Sequence, residues 1–76
     1  MSHDETITIR TSRETDAGEL LRLAALDSAE PIRGDALLAE VNGHLRAALP
    51  LDGGRPIADP FARSGEIVTL LRTLAA

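Results

Sequence analysis

The segment Ile57 to Leu71, IADPFARSGEIVTLL, holds the residue types best placed for ligand chemistry. Ile57 and Ala58 read as a strand end and Asp59-Pro60 as a turn. Ser64 reads as the cap of a helix with Ile67, Leu70, Leu71 and Leu74 at helical spacing. A helix start presents free backbone N–H groups and the positive end of a dipole, and both attract anions. Ser64 and Gly65 would be the contact points of such a site. As plain local structure, Ser64 is only a cap and Asp59-Pro60 only a turn.

The other candidates are weaker. His44 follows a turn, and the sequence places no carboxylate to orient it as a general base. Met1-Ser2-His3 is a pattern that can hold Cu(II) or Ni(II) in a square plane, but removal of Met1 would destroy it. In a flexible tail over residues 1–5 it reads as an accident. The twelve acidic residues have no EF-hand spacing and no paired arrangement on one face, so they read as solvated surface. No catalytic residue and no metal ligand is expected.

These residues must be positioned by a very small scaffold. A chain of 76 residues makes one domain, which buries roughly 60% of its unfolded surface and gains from a partner subunit. Cysteine is absent, so neither a disulfide nor a thiolate zinc site is available. Phe61 is the only aromatic residue, which leaves the core to Leu, Ile, Val and Ala. Net charge is −4 and the eight basic residues, all Arg, are dispersed, which disfavours nucleic acid as a partner. Asp4 and Glu5 stand where a secretory signal would be basic, and no apolar run approaches the ~20 residues of a membrane span. A cytoplasmic setting without membrane contact is the expectation.

The elements follow from periodicity. Thr6 to Arg10 alternates, with Ile7 and Ile9 on one face, as in a half-buried strand. Ser12 or Thr15 can cap a helix over Asp16 to Leu26, whose stripe is Ala17, Leu20, Leu21 and Ala24, with Asp16 and Glu19 suited to the dipole. Asp27 to Asp35, with Pro31 and Gly34, reads as a loop. Asn42-Gly43 is a type I′ turn joining strands Ala36 to Val41 and His44 to Leu49. A regular register would set Leu38 against Ala47 and Ala36 against Leu49 on one face, with Leu45 beside Glu40. Leu37, Ala39, Arg46 and Ala48 would occupy the other face, so both faces need cover. Asp52-Gly53-Gly54 turns into a fourth strand, Arg55 to Ala58, which Pro56 confines to an edge. The expected class is α+β: an antiparallel four-stranded sheet, β-α-β-β-β-α, with helices packed on it over residues 6–76.

That order, with Ile9-Arg10, Asp16-Ala17, Leu20, Leu38-Ala39-Glu40, Gly43 and Ala47-Ala48, resembles the N-terminal half of the GNAT acetyltransferase superfamily from about Thr6 to Leu74. Short actinobacterial chains are similar. The resemblance implies an acetyl-CoA pyrophosphate loop, Gln/Arg-x-x-Gly-x-Gly/Ala, after the fourth strand, with glycines that let phosphate approach the backbone. With Arg63 in first place, the glycine positions fall on Glu66 and Val68. Gly65 is out of register, so Arg63, Ser64, Gly65 and Glu66 form a degenerate loop. The superfamily's later strand and helix, and its tyrosine general acid, have no counterpart here. The expectation is a non-catalytic GNAT-like domain without cofactor, acting through protein association as a homo-oligomer. Val68, Leu71 and Leu74 are its candidate interface residues. The alternative is an acyl-CoA binding or N-acetyltransferase component completed by another chain.

Overall fold

A computed structural model describes residues 6–62 and 65–75 of the chain. The expected α+β class is the one observed. Strands β1 (Ile7–Thr11), β2 (Ala36–Val41), β3 (His44–Pro50) and β4 (Ile57–Ala58) form an antiparallel sheet in the order β1-β2-β3-β4. Helix α1 (Ala17–Leu26) follows a 3-10 turn over Glu14–Asp16, and α2 (Gly65–Ala75) follows β4. The helices lie on opposite faces, α1 over β3 and β4, α2 over β2 and β3.

Asn42 and Gly43 have φ of 53° and 83°, the pair of positive values that a type I′ turn requires. Asn42 also extends the sheet, because its Oδ1 accepts from the Thr6 N–H at 2.9 Å while its own N–H donates to the Thr6 carbonyl at 2.8 Å. Substitution Gly43→Val forces a β-branched residue into the left-handed region. It is expected to cost about 1 kcal/mol or more, read as a lower urea midpoint. An unchanged midpoint would mean that position 43 tolerates a side chain.

The strand register departs from the regular one at a bulge. Glu40 pairs with Leu45 but Ala39 pairs with Ala47, so Arg46 stands unopposed. Leu38 therefore meets Ala48 and Ala36 meets Pro50, one residue beyond the expected partners. The physical reason lies in Asp59, just after β4. The Arg46 carbonyl accepts from the Asp59 N–H at 2.8 Å, and its Nη1 donates to Asp59 Oδ2 at 2.8 Å. Both polar ends of the bulged residue are thus satisfied by one later residue. The bulge reverses the alternation: Leu45 and Ala48 face α1, whereas Ala47 and Leu49 face α2.

Two small cores result. Beneath α1, Leu20, Leu23 and Ala24 pack on Ala36, Leu38, Leu45, Ala48 and Ile57. The buried stripe is thus Leu20, Leu23 and Ala24; the expected Leu21 is 56% exposed and Ala17 is exposed. Beneath α2, Ile67 and Leu71 pack on Ala39, Ala47 and Leu49. Four fully buried alanines in the two central strands, Ala36, Ala39, Ala47 and Ala48, let leucines from both helices fill the space without aromatic side chains.

Local connections also differ from the simplest reading. Ser12 does not cap α1: its Oγ accepts from the Ala36 N–H at 3.0 Å and continues the β1–β2 pairing. The Asp16 side chain makes no capping bond to α1 either. At the other end of α1 the Ala29 N–H donates to the Ala24 carbonyl and Ser28 to Ala25, a Schellman closure with Ser28 at φ 50° where glycine is usual. Asp27 then ties the helix end to the sheet edge, its Oδ2 accepting from the Ala58 N–H at 3.1 Å. Strand β4 is shorter than expected, with Pro56 just outside it.

Candidate functional site

The α2 face of the sheet is only partly covered. Helix α2 lies over β2 and β3, leaving a groove between its outer flank and the outer part of the sheet. The groove, of about 610 Å³, has an apolar floor of Ile7, Val41, Ile67 and Leu70. Its walls are polar: His44 and Arg46 on the β3 side, Glu66 on the helix side. The sequence brings these together simply. Ile7 and Val41 are paired across β1 and β2, while Glu66 and Leu70 lie one helical turn apart on α2.

Beside the groove stands Phe61. Asp59, almost fully buried, accepts from the Phe61 N–H through Oδ1 at 2.8 Å while Oδ2 holds Arg46. The carbonyl of Asp59 accepts from the Ala62 N–H at 3.2 Å, so the turn is fixed by one residue at both levels. The consequence is that Phe61 projects outward, 85% exposed, immediately before the groove residue Ala62. Its burial would remove more apolar surface from water than that of any other side chain in the chain.

The opposite face carries a polar cluster. Arg10 donates from Nη1 and Nη2 to Asp16 Oδ2 and Oδ1, each at 2.8 Å, and from Nη2 to Glu40 Oε2 at 3.1 Å. The Arg13 N–H donates to Asp16 Oδ2 at 2.7 Å. The Arg10 hydrogen bonds, followed by that from the Arg13 backbone, hold the Asp16 carboxyl down at about 2. Arg10 is in turn raised above its ordinary range, chiefly by the hydrogen bonds it donates to Asp16, with desolvation opposing. The guanidinium's main acceptors are the two structural carboxylates, with a longer contact from Nη1 to the Thr11 carbonyl at 3.4 Å. The cluster therefore stands as a clamp between β1, β2 and the start of α1.

Of the residues singled out in the sequence, His44 is exposed on the groove wall. Gly65 opens α2, where an added Cβ would meet nothing within 4 Å, and Glu66 follows it exposed in the first turn. His3, Arg63 and Ser64, and with Ser64 its reading as a cap, lie outside the described residues. Among the interface candidates, Leu71 is fully buried in its own core and Val68 is half-buried against it, so only Leu74, 55% exposed, presents substantial surface. The reason is geometric: Ile67 and Leu71 define the inward face of α2, while Leu70 and Leu74 share its outer flank. Among the described residues no group of His, Cys, Asp and Glu is arranged to hold a metal ion, and no helix is long and apolar enough to cross a membrane.

Comparison with protein-family models, with curated proteins and with solved structures gives no significant match.

Phe61, the Arg46–Asp59 pair and the Asp16 clamp are not evident from periodicity. A signal for the first exists: Asp-Pro-Phe-Ala lies between two elements with no apolar partner at strand or helix spacing, a place where a lone aromatic has no local core to enter.

Proposed function

We propose that this chain is a non-catalytic, GNAT-like domain that acts through protein association, most simply as a homodimer. The observation that carries this reading is the apolar surface on the α2 side: Phe61 stands outside any core, with Ile7, Leu70 and Leu74 exposed on the same side of the sheet. A monomer this small gains stability by covering such a surface. Glu66, exposed in the first turn of α2, brings negative charge to the point where a bound diphosphate would want unencumbered backbone.

Sedimentation velocity over a concentration series tests the association. A sedimentation coefficient that rises with concentration in the micromolar range is expected. A constant monomer value up to high micromolar concentration would overturn the reading. A second expectation concerns acetyl-CoA and CoA, which should produce no saturable amide shifts over Gly65 to Val68 at micromolar concentration, and no acetyl transfer to amines. Saturable shifts mapped to that turn would replace association with acyl-CoA binding.

A further inference from the structure

Resting on the association reading, we infer that the α2-side groove is the receptor for Phe61 of a second copy of this chain, so that two copies exchange phenyl rings reciprocally. Three observations meet here. Phe61 has its N–H held by buried Asp59 yet is itself 85% exposed, so its ring stands in water beside a fixed turn. The groove floor of Ile7, Val41, Ile67 and Leu70 is apolar and lies one residue away, at Ala62. Its rim is polar, with Glu66 on the helix side and the Arg46–Asp59 pair on the β3 side.

A knob and a receptor side by side on one surface are what an isologous contact uses. A two-fold axis passing between them sends each knob into the other copy's receptor. A small apolar ligand is the poorer occupant. It would cover the floor and leave Phe61 in water, whereas a second copy covers both.

The test uses two single variants, alone and mixed. Phe61→Ala removes the knob and keeps the groove. Leu70→Glu keeps the knob and places a charge on the groove floor at a partly exposed helix position. Circular dichroism checks that each retains the wild-type spectrum. Each variant alone should dissociate with a dimer Kd raised about 30-fold or more, as expected of an interface anchor. An equimolar mixture should regain part of the association, because the Leu70→Glu chain offers its Phe61 to the intact groove of the Phe61→Ala chain.

A wild-type chain that stays monomeric would overturn both this inference and the association reading. A wild-type dimer whose Kd is unchanged by Phe61→Ala would overturn the knob alone and leave association standing. Loss of dimer in Leu70→Glu, with Phe61→Ala unaffected, would assign the groove to another occupant. Failure of the mixture to associate more tightly than either variant would overturn reciprocity.

Discussion

Leu23→Ala is expected to lower the stability of this domain by about 3 to 4 kcal/mol, the usual cost of a cavity left by a fully buried leucine. Leu23 has no exposed surface and sits between Leu20 and Ala24 on the α1 face that meets Leu38, Ala48 and Ile57. Small domains are stable by roughly 0.05–0.15 kcal/mol per residue, about 4 to 11 kcal/mol for a chain of this length. The loss is thus roughly a quarter or more of the total. Leu21→Ala, one residue away and 56% exposed, should change stability by less than about 0.5 kcal/mol. Urea unfolding of the two variants side by side fixes the rotation of α1. Equal losses, or the reverse order, would mean that the helix presents its other flank to the sheet.

This contrast also marks where the sequence stops deciding. Leucines at 20, 21, 23 and 26 support two helical stripes about one residue apart, and only the sheet beneath selects Leu20, Leu23 and Ala24. The Asn42-Gly43 turn was legible because its requirement is local: both residues must take positive φ, and few pairs do so cheaply. The register beyond it was not, since the bulge at Arg46 depends on Asp59, thirteen residues later. The placement of a helix on each face followed from strands apolar on both faces. The groove did not, because it arises from how far α2 reaches across the sheet, a property of packing rather than of spacing. Phe61 illustrates the same limit: its type was plain, but its outward direction is set by the hydrogen bonds of Asp59.

Asp16→Ala should destabilise the domain by about 2 to 3 kcal/mol, because it strips Arg10 of two hydrogen bonds and leaves a half-buried guanidinium with Glu40 and the more distant Thr11 carbonyl. The Asp16 carboxylate joins three parts of the chain: β1 through Arg10, the turn before α1 through the Arg13 N–H, and β2 through the shared contact of Arg10 with Glu40. The same geometry predicts an acid limb. The carboxyl lies at about 2 in the folded state against an ordinary 3.8, so it binds its proton less readily folded than unfolded. A depressed folded value means that the stabilisation is complete above about pH 4 and is lost as pH falls through about 2. The span corresponds to about 2 kcal/mol. Arg10, raised in its turn, stays charged throughout this window and adds no slope there. Other carboxylates also titrate in acid, so the informative quantity is the difference between the wild-type chain and Asp16→Asn, which keeps the shape and removes the charge. That difference, from urea midpoints, should be near its full value at pH 6 and mostly gone at pH 2. A difference that stays constant over the range would show that the carboxylate charge contributes nothing, and that position 16 matters only for its hydrogen-bonding shape.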